Sequence, residues 1–138
     1  MSDEGPCAVT RARSLVGVRF RPQGRDPATG LDCVGLILRV FGIPPEQVRR
    51  DYSLSGNSAA ELDAQLLRYF QRLSNEASRV GDVVLCAVRG GQLHLAVDCG
   101  RSFVHADARA RRVVETPGAP QWPILGMYRF ALCNLQSS

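Results

Sequence analysis

The sequence contains no lysine: all 17 basic residues of the 138-residue chain are arginines, and 13 acidic residues leave a net charge of +4. The arginines are scattered and are not interleaved with aromatic residues, so nucleic-acid binding is not favoured. No run approaches the roughly 18 to 20 apolar residues that would cross a bilayer. The N-terminus lacks the apolar core of a secretory signal. We therefore expect a protein that is cytoplasmic on synthesis and binds no membrane.

Cysteine occurs five times, an odd number, and no two cysteines have CxxC spacing. Without an export signal, reduced thiols are expected rather than a disulfide framework. Three cysteines lie among apolar or small neighbours and are expected to be buried as small hydrophobic side chains: Cys7, Cys86 and Cys133. The other two, Cys33 and Cys99, have more distinctive surroundings.

The length and the 45% apolar content predict one domain spanning residues 1–138, with a core from about 8 to 133. The first half has helical periodicity. Three apolar stripes are predicted, in chain order: Ala8, Ala12, Leu15 and Val16; Cys33, Ile37, Val40 and Phe41; Leu62, Leu66, Tyr69, Phe70 and Leu73. Gly17 and Gly42 can end the first two helices, and Ser58 with Glu61 predicts a capping box at the start of the third.

The pattern changes after Gly81 to short runs rich in β-branched or aromatic residues. These runs predict strands at 82–88, 92–98, 102–107, 111–116 and 127–132. Helices followed by antiparallel strands are typical of the α+β class.

The only two histidines of the chain lie in these strands. If the segment 98–101 (DCGR) forms a tight hairpin centred between Cys99 and Gly100, the numbers of opposed residues sum to 199. His94 is then directly opposite His105, and opposed β-carbons lie about 4.5 to 5.5 Å apart. The sequence therefore predicts two adjacent imidazoles, with Cys99 in the turn.

Cys33 is predicted in the first turn of the second helix, directly after Asp32. A thiolate is a far better nucleophile than a thiol, and both a helix N-terminus and a neighbouring imidazolium lower the pKa of a thiol. If this helix packs its apolar stripe on the sheet, His94 can approach Cys33, and His105 can orient His94. A purely structural role in the core stays open for all three residues.

A zinc site is an alternative for the same region. Its four ligands would be Cys86, His94, Cys99 and His105. The spacing Cys-x7-His-x4-Cys-x5-His is not typical of zinc ligands, and the predicted turn places Cys99 away from the others.

Five motifs occur in the order found in the NlpC-type bacterial cell-wall peptidases, a papain-like family that the chain resembles from about residue 14 to residue 130. The family has a Gly-x-x-Tyr-Arg-Trp-Gly-Gly loop, then Asp-Cys-Ser-Gly-Leu at a helix start, Gly-Asp-Leu-Val, His-Val-Gly-Ile-Tyr and Ile-His-Ala. The corresponding segments here are 17–21 (GVRFR), 32–36 (DCVGL), 81–84 (GDVV), 94–97 (HLAV) and 104–106 (VHA).

The resemblance implies a papain-like α+β domain in which N-terminal helices, including the helix of the nucleophile, pack on a C-terminal antiparallel sheet. It implies that Cys33 is the nucleophile, His94 the general base and His105 the residue that orients His94. The backbone N–H of Cys33 would form part of an oxyanion hole. No cofactor or metal is implied.

The resemblance also implies substrate-facing positions. Asp32 matches a family position that can contact the free amine of the substrate, although an N-cap role is equally natural. Phe20 replaces a tyrosine that faces the active site in many members, and Val34 replaces the serine that follows the nucleophile. The thiol machinery is therefore retained, whereas the groups that face the substrate are altered.

The implied activity is hydrolysis of peptidoglycan stem peptides, at a γ-D-glutamyl–diamino acid bond, through a thioester. Short relatives resemble peptidases of phage tails or gene-transfer agents, which implies delivery to the periplasm or cell wall by such a particle and partners among its proteins. Two alternatives stay open: an amidase or acyltransferase that uses the same triad, and a non-catalytic tail-assembly subunit. Phe20 and Val34 favour the second.

Overall fold

The computed structural model describes residues 4–48, 59–74 and 77–131. Its helices and strands are, in chain order, α1 (Glu4–Ser14), β1 (Arg25–Asp26), β2 (Gly30–Leu31), α2 (Cys33–Phe41), α3 (Ala59–Leu66), β3 (Phe70–Arg72), β4 (Val83–Ala87), β5 (Leu93–Asp98), β6 (Ser102–Asp107), β7 (Arg112–Pro117) and β8 (Ile124–Phe130). In the described parts of the chain, no helix is both long enough and apolar enough to span a membrane.

A six-stranded sheet forms the centre of the fold, with the strand order β3-β8-β4-β5-β6-β7. All five strand pairs are antiparallel. The strands β4 to β7 are neighbours in sequence and in space, as short connections between antiparallel strands allow. The predicted α+β class, with N-terminal helices packed on a C-terminal antiparallel sheet, is confirmed.

The helix α2 has the caps that its sequence predicts. Oδ1 of Asp32 accepts a hydrogen bond from the backbone N–H of Gly35 at 2.7 Å. Gly42 ends the helix at φ 66°, a left-handed conformation in which a Cβ would be strained. Between these caps every residue except Arg39 is buried, so α2 lies deep in the fold.

The helix α2 packs on one face of the sheet. Its core partners in β5 and β6 are Leu93, Leu95, Val97, Val104 and Ala106. Successive side chains of a strand point to opposite faces, so His94 and His105, which alternate with these residues, project from the other face. The sheet thus separates the body of α2 from the two imidazoles.

Two helix predictions need correction. The third helix ends at Leu66, and the residues from Phe70 to Arg72 form β3 at the edge of the sheet. Tyr69 and Leu73 are buried as predicted, but the helical period failed there because edge-strand pairing with β8 determines the conformation. In the first helix Val16 is 43% exposed and lies beyond the end of α1. The predicted cap at Ser58 lies outside the described residues.

The register of the β5–β6 hairpin also differs from the prediction. Ala96, not His94, is opposite His105, and Val97 is opposite Val104, so opposed numbers sum to 201. The backbone N–H of Cys99 donates to the carbonyl of Ser102, so Cys99 flanks the turn instead of lying in its centre. The predicted register is therefore shifted by two residues. Because the shift is even, both histidines stay on the same face of the sheet.

Candidate active site

The two imidazoles form a direct hydrogen bond. Nε2 of His94 lies 2.8 Å from Nδ1 of His105, which makes the pair a diagonal rather than an opposed contact across β5 and β6. The other nitrogen of His105, Nε2, lies 3.0 Å from the hydroxyl of Thr116 on β7. His94 therefore retains one free ring nitrogen, Nδ1, for which no hydrogen-bond partner is recorded among the described residues.

Aromatic rings surround this pair. The ring of Phe103 is 4.8 Å from that of His105. The indole of Trp122 contacts both imidazoles edge to face, with centroids 5.5 Å from His94 and 5.7 Å from His105. Sequence reasoning did not identify Trp122 or Thr116; the only available signal was that the single tryptophan of the chain lies in a Pro-rich loop.

The sulfur of Cys33 reaches the end of the β5–β6 ladder. The ladder runs from Asp98 opposite Phe103 to Ala96 opposite His105. The backbone N–H of Leu95, the next residue of β5, acts to lower the pKa of the Cys33 thiol. The thiol therefore lies one residue along β5 from His94, although no hydrogen bond between Cys33 and a histidine is recorded within the described ranges.

The charge states at this site differ from the sequence expectation. Burial, together with the Asp32 carboxylate, raises the pKa of the Cys33 thiol to about 12, although the N–H groups of Leu95, Val34 and Cys33 itself act to lower it. Burial and the neighbouring His105 lower the pKa of His94 to about 4. The prediction of a thiol activated by the helix N-terminus is wrong for this conformation, because Cys33 is only 2% exposed and desolvation outweighs the helix terminus.

Asp32 connects the helix start to the preceding loop. Oδ1 caps α2 through Gly35, and Oδ2 accepts the backbone N–H of Gln23 at 3.0 Å. The loop also approaches closely through Gly24, whose carbonyl oxygen would collide with a Cβ on Gly35. Both carboxylate oxygens of the 3% exposed Asp32 thus have structural partners, and its contact with a substrate amine stays a prediction.

The other two predicted substrate positions lie against the core. Val34 is buried in the first turn of α2, and Phe20 is half-buried and packs on the same cluster. Their backbones nevertheless lie close to Cys33. Phe20 forms a bridge to Leu31, two residues before Cys33, and Val34 follows Cys33 directly. A role of either side chain in binding substrate stays a prediction.

The remaining cysteines behave in different ways. Cys86 on β4 is directly opposite His94 and fully buried, and burial raises its pKa to about 11. Cys99 is also buried, whereas Cys7 is exposed, contrary to its predicted place in the core. Cys133 lies outside the described residues. Within the described ranges no cluster of three or more side chains could hold a metal ion, and the zinc alternative has no support.

Solved structures identify the fold. The chain aligns over 94% of its length with NlpC1 from Trichomonas vaginalis, at a TM-score of 0.68 and 16% identity, and covers 45% of that protein. It aligns over 91% with the peptidoglycan hydrolase RipB from Mycobacterium tuberculosis, at a TM-score of 0.59 and 19% identity, and covers 63% of it. A third structure is RipD from the same organism, described as a non-catalytic NlpC/p60 domain protein adapted to peptidoglycan binding. The alignment has a TM-score of 0.58 and 17% sequence identity, and it covers 94% of this chain and 98% of RipD.

The chain therefore has the NlpC/p60 fold, a small α+β domain that occurs in peptidoglycan hydrolases. It spans about half to two thirds of the length of the first two of these proteins. No protein-family model matches the sequence, and no curated protein matches it.

Proposed function

We propose that this protein is a cysteine peptidase that hydrolyses amide bonds in the peptide stems of peptidoglycan, with Cys33 as nucleophile, His94 as base and His105 as the orienting residue. The observation that supports it most is the 2.8 Å contact of the two imidazoles next to the strand position that faces the Cys33 sulfur. The finer proposal is cleavage at a γ-D-glutamyl–diamino acid bond, which rests on the resemblance of motifs.

The proposal gives each nitrogen of His94 a role that is compatible with the contact to His105. Nε2 is held by His105, so Nδ1 is the atom that can accept the thiol proton. This role requires that His94 carry its proton on Nε2 and donate it to Nδ1 of His105, while His105 donates from Nε2 to Thr116. The hydroxyl of Thr116 can accept that hydrogen bond, so the contact is compatible with these tautomers.

The reaction proceeds in two halves. The sulfur of Cys33 attacks the scissile carbonyl carbon while His94 takes the thiol proton, and backbone N–H groups at the start of α2 stabilise the oxyanion. His94 then protonates the leaving amine, and a thioester remains. Water attacks this thioester with His94 as base, which releases the acid and restores the thiol. Because the resting thiol and imidazole are neutral, His94 acts as a general base and not as one half of a preformed ion pair.

A second candidate function is peptidoglycan binding without hydrolysis. The burial of Cys33 and its raised pKa favour it. An amidase or acyltransferase using the same residues, and carriage by a phage tail or gene-transfer agent, rest on the resemblance alone and stay predictions.

The test is product analysis by mass spectrometry after incubation with defined muropeptides. The proposal expects cleavage by the unaltered protein, none by Cys33→Ala, and retained cleavage by Cys86→Ala, the matched control for a buried thiol on the neighbouring strand. If the intact muropeptides are bound but none is cleaved, the binding function replaces the peptidase. If Cys33→Ala and the unaltered protein give the same products, Cys33 is not the nucleophile.

A further inference from the structure

We propose that Trp122 is a positioning residue that covers the His94–His105 hydrogen bond, keeps water away from it and so leaves Nδ1 of His94 free to accept a proton. A role of Trp122 in catalysis rests on the proposed function, whereas the effect of Trp122 on the two imidazoles does not. The indole contacts both rings edge to face, and it also contacts Phe103 with centroids 5.9 Å apart. Trp122 and Phe103 together cover the pair on the face of the sheet away from α2.

The backbone around Trp122 shows how the indole reaches this place. The ladder between β4 and β8 pairs Leu85 with Gly126 but Cys86 with Ile124, so Leu125 is an extra residue in β8. Such a bulge bends its strand and redirects the side chains near it. The carbonyl of Pro123 accepts a hydrogen bond from the N–H of Ala87 at 2.9 Å. The residue next to Trp122 is therefore fixed to β4, beside the strand that carries His94.

Trp122 is half-buried, and two of the residues that follow it are more exposed. Ile124 is 47% exposed and Leu125 is 39% exposed, although both are more apolar than an indole with its N–H group. The chain thus directs its only tryptophan towards the imidazoles and leaves two aliphatic side chains in water. The contacts of the indole with both imidazoles, and not the exposure of its neighbours, support a role for Trp122 at the site.

The other groups that face His94 define its electrostatics. Cys86 lies opposite it on β4, and His105 lies beside it on β6. The only charged side chain that acts on it among the described residues is Asp107, which raises the pKa of His94, while burial and His105 lower it. Removal of the indole exposes the pair to water and weakens the effect of burial, so protonation of His94 becomes easier.

The experiment is a pH titration of the two histidines by long-range ¹H–¹⁵N NMR in the full chain. Only two imidazoles contribute, and His94→Gln assigns them. Trp122→Ala is expected to raise the proton affinity of His94 about tenfold or more, and Trp122→Phe, which keeps an aromatic cover, much less. Gln121→Ala, an exposed neighbour, is the matched control and should leave the titration unchanged. If Trp122→Ala does not fold, Trp122→Leu takes its place in the comparison with Trp122→Phe.

The proposal is overturned if His94 titrates at the same pH in the unaltered protein and in a folded Trp122→Ala or Trp122→Leu variant. It is also overturned if Trp122→Phe shifts the titration of His94 as much as these variants do. A merely structural tryptophan would lower the melting temperature without moving this titration. If the unaltered protein hydrolyses nothing but the titration shifts as expected, the proposed function fails and the role of Trp122 stands. Protonated imidazole quenches tryptophan fluorescence, so the fluorescence of the single tryptophan against pH gives an independent measure of the histidine titration in the unaltered protein.

Discussion

Nε2 of His94 lies 2.8 Å from Nδ1 of His105, although the two residues are not opposed in the sheet. The sequence predicted a turn centred between Cys99 and Gly100, whereas the observed β5–β6 turn is centred one residue further along the chain. The contact between the two imidazoles is therefore diagonal. It leaves Nδ1 as the only nitrogen of His94 that can serve a thiol. The proposed roles of His94 as base and His105 as orienting residue rest on this contact, and the following predictions test them.

Loss of His105 should impair catalysis more than loss of Thr116. His105→Ala leaves the His94 ring without the partner that fixes its tautomer, so kcat/KM on a stem peptide should fall by about 10² or more. Thr116→Val removes only the outer hydrogen bond to His105, and its loss should be about tenfold or less. Unchanged kcat/KM in His105→Ala would contradict the assigned role.

Stability should depend on pH through His94. Its pKa is lowered from 6.5 to about 4 by burial and by His105, so between these values the unfolded chain binds a proton that the folded chain does not. The free energy of unfolding should therefore be highest above pH 6.5 and decrease towards pH 4, by at most about 3 kcal/mol from this residue. His105 acts in the same direction.

Urea unfolding at several pH values measures this dependence. His94→Gln is the control, because it removes the titrating group while keeping an amide of similar size. A pH dependence of equal steepness in this variant and in the unaltered protein would show that His94 is not its source.

Removal of the Asp32 charge should activate Cys33. After burial, the Asp32 carboxylate is the next largest cause that raises the pKa of this thiol. Asp32→Asn keeps an oxygen that can accept the N–H of Gly35 but loses the charge and the bond to Gln23, at a cost of about 1 kcal/mol. Iodoacetamide should then alkylate Cys33 faster at pH 8, as quantified by peptide mapping.

The exposed thiol of Cys7 serves as an internal reference for that experiment. Its rate should be the same in both proteins and higher than that of Cys33 in the unaltered protein. A Cys33 rate that does not respond to Asp32→Asn would mean that the carboxylate does not act on the sulfur.

A methyl group on Gly35 should loosen the start of α2. Its Cβ would collide with the carbonyl oxygen of Gly24, so the loop before Cys33 must move. Gly35→Ala should lower the free energy of unfolding by about 1 to 3 kcal/mol despite the better helix propensity of alanine. Arg39→Ala, at the exposed position of the same helix, is the control and should leave the free energy of unfolding almost unchanged. Equal stability of the Gly35→Ala and Arg39→Ala variants would contradict the close approach of Gly24 to Gly35.

Local patterns in the sequence were sufficient to predict α2 and the four strands from β4 to β7. Of β8 (Ile124–Phe130) they predicted only the part from residue 127 onwards. The caps at Asp32 and Gly42 depend on residues within four positions, and strand alternation depends on period alone. The pairing of the imidazoles could be predicted because the β5–β6 hairpin is short, and an even error in register does not change the face.

What could not be predicted depends on distant contacts. The position of Trp122 requires the bulge at Leu125 and the bond from Ala87 to Pro123, which join segments more than thirty residues apart. The direction of the Cys33 pKa depends on how deeply α2 is buried. A helix terminus near a thiol can be seen in the sequence, but the desolvation that opposes its effect becomes visible only when the core has been assembled.

The most direct measurement is capture of the acyl-enzyme. The unaltered protein is mixed with a stem-peptide substrate, quenched in acid, and analysed by intact-mass and peptide-mapping mass spectrometry. The proposed mechanism predicts a transient mass increase equal to the acyl half of the substrate, located on the peptide that contains Cys33 and absent in both Cys33→Ala and His94→Gln, because His94 must take the thiol proton before the acyl-enzyme can form. Product formation with an adduct on another residue, or with an unchanged yield in Cys33→Ala, would contradict it.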